Sequence, residues 1–189
     1  HDEFKSRFNG LMGGSSGSSC SSFKSSSASL PSSYDWRDHD AVTPVKDQGQ
    51  CGSCWSFSAT GAIEGAWAIA KKDLVSLSEQ ELVDCSIGRP YGNHGCNGGL
   101  MDGAFQYVID KGICAEGSYP YTSGTTKTNG NCEIVPSTVS LSSCVDVTPN
   151  DQVNLKEAVY KGPVSIAIEA DTKAFQLYTG GVLTGDACG

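Results

Sequence analysis

The clearest hydrophobic pattern in the chain predicts a long helix over residues 53–72. Apolar side chains recur there at helical spacing on one face, at Trp55, Ala59, Ala62, Ile63, Ala66 and Ala70. Ser53 is a residue type that caps helix N-termini. Gly61 and Gly65 each lower the helix propensity by roughly 1 kcal/mol relative to Ala, so we expect another part of the chain to pack closely against them.

Shorter patterns predict further helices, followed by strands near the end of the chain. These helices are predicted from Ser78, over residues 100–111 and over residues 152–160. The first begins with Ser78-Glu79-Gln80-Glu81, which fits the capping box, and Gly112 is placed to end the second. Runs typical of β-strands appear after residue 137, for example over residues 164–168. This order of helices and then strands predicts an α+β protein with two lobes.

A serine-rich stretch separates the N-terminal end from the rest of the chain. Residues 15–33 hold twelve serines in nineteen positions. Such a composition cannot bury enough apolar surface to order itself, so it predicts a flexible linker. Residues 1–14, which precede it, are too few to form a domain.

The charge and hydropathy of the chain exclude two classes of function. The formal net charge is −8, whereas a nucleic-acid partner would favour a basic surface. No apolar run approaches the roughly 20 residues that a membrane-spanning helix needs. We therefore expect neither a nucleic-acid partner nor a membrane.

The cysteines indicate an oxidising compartment and a reactive thiol. Nine cysteines in 189 residues are many for a cytosolic protein. Because their number is odd, at least one has no partner within the chain, and such a residue is a candidate reactive thiol. Only Cys51 and Cys54 form a C-x-x-C pair, and a zinc site would need further ligands at close spacing. We expect no metal and no other cofactor.

Cys54 is the strongest candidate for the reactive thiol, because it lies in the first turn of the long predicted helix. There it faces unpaired backbone N–H groups and the positive end of the helix dipole, which both favour the thiolate. The thiolate is the nucleophilic form in covalent catalysis. An oxyanion formed by its attack would meet the Cys54 backbone N–H, and the side-chain amide of Gln48 is placed to be a second donor.

Two other interpretations of Cys54 stay open on these residues alone. Cys54 can be a disulfide partner or a small buried apolar residue, as most cysteines are. It can also form a redox-active pair with Cys51.

The segment around Cys54 carries a known signature. Cys51-Gly52-Ser53-Cys54-Trp55 matches Cys-Gly-[Ser/Ala]-Cys-[Trp/Tyr], the signature of papain and the cathepsins. Other blocks that resemble this family follow in the family's order at residues 30–37, 42–49, 76–85, 95–101, 119–121, 162–165 and 175–178. Residues 2–10 resemble the end of a cathepsin L-type propeptide. The chain therefore resembles a papain-family cysteine protease of the cathepsin L group.

This resemblance implies roles for the residues of the catalytic centre. Cys54 would be the nucleophile and Gln48 an oxyanion donor. Glu64 and Glu79 match positions of partly buried carboxylates, and one of them would keep its proton if both are buried together.

The resemblance also implies a substrate-binding surface. The backbones of Gly98 and Gly99 would bind an extended peptide. Leu100, Met101 and Ala167 would line the pocket for the second side chain before the cleaved bond.

The fold implied by the resemblance is the two-lobed papain-like fold, with the helical lobe largely present and the β-rich lobe truncated. Residues 1–29 would be the C-terminal end of a propeptide plus the serine-rich linker, and residues 30–189 the peptidase domain. The family's catalytic histidine lies about 130–150 residues beyond the nucleophile, with an asparagine after it, whereas 135 residues follow Cys54. We expect both residues to lie beyond position 189, and this chain by itself to be inactive.

For the whole protein the resemblance implies an endopeptidase that acts through a thioester on Cys54. Its expected partners are peptide or protein substrates and its own propeptide as inhibitor, in a secreted, lysosomal or vacuolar location. A non-catalytic binding or inhibitory protein on the same fold remains an alternative, because His1, His39 and His94 do not resemble the catalytic histidine.

The resemblance implies two disulfides, Cys51–Cys96 and Cys85–Cys132. Cys114 and Cys144 are available for a third. In this scheme Cys20, Cys54 and Cys188 have no partner within the chain.

Overall fold

The regular elements in the described part of the chain are mainly helices, and the longest of them is central. The structure, a computed structural model, describes residues 20–26, 29–168, 170 and 172–180. Its elements in chain order are β1 (Ser21–Ser22), a 3-10 turn (Trp36–His39), α1 (Cys54–Lys71), α2 (Glu79–Cys85), α3 (Met101–Lys111), a second 3-10 turn (Glu116–Ser118), α4 (Ser123–Thr126), β2 (Val145–Asp146), α5 (Gln152–Lys161) and α6 (Lys173–Gln176). The predicted propeptide end at residues 1–14 and Cys188 lie outside the described residues.

The central helix α1 confirms the strongest sequence pattern and packs against α2 and α3. Trp55, Ala59 and Ile63 are buried on this side. They belong to an apolar core that also holds Cys51, Leu77, Leu82, Val83, Ala104, Tyr107, Val108, Ile113 and Val139. Ala66 and Ala70 are exposed instead, so the predicted apolar face is wider than the face that the core covers.

The short helix α2 begins as predicted, because the Ser78 hydroxyl accepts a hydrogen bond from the Glu81 N–H at 3.0 Å. Its polar side chains point inward and satisfy buried groups. The Gln80 amide bonds Asp84, Ser123 and the backbone N–H of Thr122. Glu81 accepts hydrogen bonds from Tyr107 and from the backbone N–H of Cys114. Buried polar groups need such partners, and here they join α2 to the loops after α3.

The predicted strand at residues 164–168 is wrong for the described structure, which has no strand there. A strand needs a neighbour for its backbone groups, and this segment lies on α1 instead. The Ser165 hydroxyl donates to the Ser58 carbonyl at 2.6 Å, and the Ser58 hydroxyl donates to the Ile166 carbonyl at 3.2 Å. Among the described residues, the one sheet is the parallel pair of β1 and β2.

Disulfides link distant parts of the chain. The structure contains Cys51–Cys96 and Cys85–Cys132, the two pairs that the resemblance implies, together with Cys20–Cys144. The suggested pair of Cys114 and Cys144 is therefore wrong. Cys114 is a thiol buried beside Glu81, whereas Cys144 precedes β2 and meets Cys20 there. Residues 20–26 consequently depart from the flexible linker that their composition predicts.

Within the described ranges, no helix combines the length and the apolar character that crossing a membrane requires. The helices are instead amphipathic or short. Trp55, Ala59 and Ile63 of α1 face the core, whereas Val153 and Val159 of α5 are exposed.

The two glycines of α1 lie in different surroundings, and this difference can be tested. A Cβ at Gly65 would lie 2.4 Å from Pro163 Cγ and 3.0 Å from the Ala41 carbonyl oxygen, whereas at Gly61 nothing lies within 4 Å. We predict that Gly65→Ala lowers the free energy of unfolding by roughly 1–3 kcal/mol through overpacking. The matched variant Gly61→Ala should raise it by roughly 0.5–1 kcal/mol. Urea denaturation measures both, and equal gains in stability would contradict the close packing.

Candidate active site

Cys54 is the first residue of α1 and is partly exposed. The helix dipole stabilises negative charge at this end. Ser53 precedes it as N-cap, but its side chain makes no capping hydrogen bond; its hydroxyl lies 2.7 Å from the Tyr121 hydroxyl. The next residue, Trp55, is fully buried, and its indole N–H donates to the Gly95 carbonyl at 3.3 Å. The position of Cys54 is thus fixed by the residues on both of its sides.

A disulfide joins the segment before Cys54 to the loop at residues 93–98. Cys51 bonds Cys96, and the Gly52 N–H donates to the Cys96 carbonyl at 3.0 Å. Since Cys51 is engaged with Cys96 and Cys54 is a thiol, the structure argues against the alternative of a redox pair between Cys51 and Cys54.

Gln48 lies in the loop that precedes α1, and its side chain is directed toward the turn before Cys54. Its amide nitrogen donates to the Cys51 carbonyl at 2.9 Å. An amide nitrogen carries two hydrogens, so this bond is compatible with donation to an oxyanion.

The Tyr121 hydroxyl connects the loop of Gln48 to the N-cap of α1. It donates to the Gln48 carbonyl at 2.9 Å and lies 2.7 Å from the Ser53 hydroxyl. Burial raises the pKa of Tyr121 to about 12, so the hydroxyl keeps its proton at physiological pH. Our sequence reasoning assigned no role to Tyr121; its only signal was its place in the block of residues 119–121.

A buried ion cluster around Lys46 fixes the loop before α1 at a point two residues ahead of Gln48. The Lys46 ammonium lies 2.6 Å from Glu64 Oε1 and 2.6 Å from Glu79 Oε1. Both carboxylates are 1% exposed. The resemblance matched Glu64 and Glu79 to positions of partly buried carboxylates, but nothing in the sequence placed a cation between them.

The protonation of this cluster follows from burial and charge. Burial raises the pKa of Glu79, and the neighbouring Lys46 opposes that rise only in part. For Lys46, burial acts to lower the pKa, but the attraction of Glu79 and hydrogen bonds to both carboxylates raise it overall. Lys46 is therefore a stable cation.

Hydroxyl and amide groups complete the coordination of the two carboxylates. Thr43 donates to Glu64 at 2.6 Å and Thr60 donates to Glu79 at 2.5 Å. The Leu77 N–H also donates to Glu64 at 2.8 Å. Residues 43–46 are consequently attached to α1 and α2 immediately before the loop reaches Gln48.

The glycines expected to bind a peptide backbone lie in a tight turn beside Trp55. The Gly98 N–H donates to the Gly95 carbonyl at 3.3 Å, and the Gly98 carbonyl accepts from the His94 N–H at 2.9 Å. A Cβ at Gly99 would lie 2.5 Å from Asn93 Oδ1 and 2.7 Å from Trp55 Cδ2. Glycine at position 99 thus lets the chain pass directly over Trp55.

The structure does not bring the three residues expected to form the side-chain pocket together in one groove. A groove of ≈ 920 Å³ lies between α1, α3 and the segments 143–149 and 161–165, and Met101 lines it. Among the described residues, its lining includes neither Leu100 nor Ala167. Leu100 is the N-cap of α3, and Ala167 is exposed at the end of the segment that forms no strand.

The second described thiol, Cys114, is unsuited to nucleophilic chemistry. It is fully buried, and burial together with the nearby Glu81 carboxylate raises its pKa to about 12. A thiol of this kind stays protonated and inert. Of the two thiols, only Cys54 lies at a helix N-terminus.

One group of three potential metal ligands occurs in the described part of the chain, formed by Cys20, Asp102 and Asp146. The Cys20 sulfur belongs to a disulfide, so it cannot act as the thiolate that metal ligation requires. Only two partly buried carboxylates, Asp102 and Asp146, remain as potential ligands.

Comparison with known proteins decides the family. The sequence profile described as "Papain family cysteine protease" matches residues 30–189. The chain belongs to the papain family of cysteine proteases. Over 161 residues it is 52% identical to Cysteine proteinase 2 of Dictyostelium discoideum, across 84% of this chain and 42% of that protein.

Two solved structures establish the papain-like α+β fold. The digestive procathepsin L 3 of Tenebrio molitor larval midgut gives a TM-score of 0.72 at 42% identity, covering 84% of this chain and 48% of that chain. The Carica candamarcensis cysteine protease CMS1MS2 in complex with E-64 gives 0.75 at 41% identity, covering 82% and 71%. The chain spans less than half the length of the curated papain-family relatives that head the comparison.

The ion cluster of this papain-family chain generates a prediction on stability. We predict that Lys46→Met lowers the free energy of unfolding by about 3 kcal/mol at pH 7, because it leaves two buried carboxylates without a cation. Lys156→Met, at an exposed position of α5, is the matched control and should change stability by less than about 0.5 kcal/mol.

The loss in free energy of unfolding that Lys46→Met causes, here called the deficit, should depend on pH. Because the pKa of Glu79 is raised in the folded state, folding binds a proton, and stability falls as pH rises from the unfolded pKa through the folded one. Without Lys46 the pKa of Glu79 rises further, so the deficit should be smaller at pH 5 than at pH 7. Urea denaturation at both pH values measures this, and a deficit that does not change with pH would contradict the assignment.

Proposed function

We propose that the protein is a cysteine-type endopeptidase that hydrolyses peptide bonds through a thioester on Cys54. The observation that carries the proposal is the Cys54 thiol at the N-terminus of α1, with the Gln48 amide on the loop before it. The engagement of Cys51 with Cys96 supports a nucleophile over a redox pair. The papain-family match supports the same chemistry.

The proposed reaction has two halves. The Cys54 sulfur attacks the scissile carbonyl, and the Cys54 N–H and Gln48 amide bind the resulting oxyanion. The amine leaves with a proton and the acyl group remains as a thioester. Water then attacks the thioester, which releases the acid and restores the thiol.

A general acid–base must move protons in both halves. His39 stacks on Tyr34 with ring centroids 4.6 Å apart, and His94 lies in the exposed turn before Gly95. Neither is proposed for this role. We propose instead that the catalytic histidine and its asparagine lie beyond residue 189, as the family resemblance implies.

The proposed partners and location follow from the relatives and from the disulfides. We propose peptide or protein substrates and inhibition by the protein's own propeptide; one structural relative is a procathepsin and another is in complex with E-64. Three disulfides in the described residues support a secreted, lysosomal or vacuolar location.

The first functional prediction concerns the 189-residue chain. We expect it not to turn over a fluorogenic peptide, since the loss of a positioned general acid–base costs typically 10²–10⁴-fold. A chain extended through the following residues of the same protein should be active, and Cys54→Ala in that extended chain should abolish activity. Thiol-dependent turnover by the 189-residue chain would contradict the missing base. An extended chain that binds peptides without cleaving them would favour the non-catalytic alternative.

The second functional prediction concerns the side chain two positions before the cut. Met101 is flexible and apolar, so it adapts to apolar ligands, whereas a charged side chain beside it would lose its hydration. We expect the extended enzyme to prefer Leu, Phe or Val over Asp, Glu or Lys in a positional peptide library, measured as kcat/KM. Met101→Glu should shift the preference toward Lys and Arg. Val153→Glu, which adds the same charge at an exposed position of α5, is the control, and a preference unchanged by Met101→Glu would show that the pocket is misassigned.

A further inference from the structure

Residues 20–26 precede the start of the papain-family match at residue 30, yet they are bound to Cys144, to β2 and to α5. Cys20 forms a disulfide with Cys144 across a sequence separation of 124 residues. The next residues pair in parallel with β2, since the Ser21 N–H donates to the Cys144 carbonyl at 3.0 Å and the Phe23 N–H donates to the Asp146 carbonyl at 2.8 Å.

A buried carboxylate holds the other end of this segment. Glu157 of α5 is 2% exposed. It accepts hydrogen bonds from the Ser25 hydroxyl at 2.5 Å, the Ser26 hydroxyl at 2.5 Å and the Ser26 N–H at 2.8 Å. These hydrogen bonds lower the pKa of Glu157 to about 2, so the carboxylate keeps its charge down to strongly acidic pH.

Phe23 adds an apolar contact between these two anchors. Its ring lines the groove beside α1 and α3, and the Lys161 ammonium lies 4.8 Å from the ring centroid. Lys161 also forms a salt bridge to Glu157 at 3.1 Å. The serine-rich segment is thus attached through Cys20 and Phe23 as well as through Ser25 and Ser26.

The stretch that follows the segment is open to solvent. Ser29 and residues 31–33 are exposed and outside any helix or strand. Beyond them the chain is attached again, because the Trp36 indole N–H donates to the Val159 carbonyl of α5 at 2.6 Å. Exposed irregular stretches of this kind are the preferred sites of proteolytic nicking, and a cut here would leave the attachments on both sides intact.

We propose that the Cys20–Cys144 disulfide makes residues 20–26 a covalent part of the peptidase domain, so that a chain cut within residues 29–33 persists as a disulfide-linked two-chain protein. Hydrolysis of the cut bond consumes one water and leaves a carboxylate and an amine. Release of the N-terminal chain then requires a dithiol, which gives two electrons and two protons to the Cys20–Cys144 bond and becomes a disulfide itself. This inference goes beyond the proposed peptidase activity and holds whether or not that activity is found.

The first experiment maps the cysteines of the wild-type 189-residue chain by mass spectrometry without reduction. The expected result is a peptide pair that joins Cys20 to Cys144. Cys20 found as a thiol, or joined to another cysteine, would overturn the proposal. This measurement needs no variant and does not depend on catalysis.

The second experiment tests retention after a cut. The recognition sequence of a site-specific protease is inserted after Ser32, the chain is cut, and the products are separated on a denaturing gel with and without dithiothreitol. We expect one band of full mass without dithiothreitol and two bands with it. Cys144→Ser should give two bands in both lanes, whereas the control Cys114→Ser should behave like the wild type. Release of the N-terminal chain from the otherwise wild-type protein without dithiothreitol would overturn the proposal.

Discussion

The ion pairs of Lys46 with Glu64 and Glu79 set the constraint on which the rest of the site depends. Two carboxylates that are 1% exposed are costly in a protein interior unless a cation and hydrogen-bond donors meet them. Because Lys46 reaches between α1 and α2 to do so, the loop that carries it is held against both helices. Two residues later the loop brings Gln48 to the turn before Cys54, where the Tyr121 hydroxyl holds its backbone.

Polar groups also organise the core around α2. This helix has only seven residues, too few to be stable alone, and six of them are buried. Gln80, Glu81 and Asp84 bind backbone groups at residues 114, 122–123 and 130. These loops have little regular structure of their own, so their conformation depends on side chains of α2 rather than on a sheet.

Local sequence patterns predicted those features of the helices that depend on residues close together in the chain. The spacing of Trp55, Ala59 and Ile63 defined the buried side of α1, and the Ser78 cap defined the start of α2. Features that depend on distant residues were not predictable in this way. Nothing near Lys46 identifies two carboxylates 18 and 33 positions away as its partners, and cysteine spacing does not determine pairing, so Cys20 was missed. The prediction of a strand at residues 164–168 was wrong because a strand needs a neighbouring strand, and this segment contacts α1 instead.

The buried thiol of Cys114 can serve as a built-in chemical probe of local unfolding. Its sulfur is buried beside Glu81 of α2 and stays protonated there, because burial and that carboxylate raise the pKa of the thiol. Alkylation by a thiol reagent therefore requires that this part of the core open, and its rate measures the frequency of that opening. The partly exposed Cys54 supplies an internal reference within the same molecule. The ratio of the two labelling rates separates changes in the core from changes in reagent access.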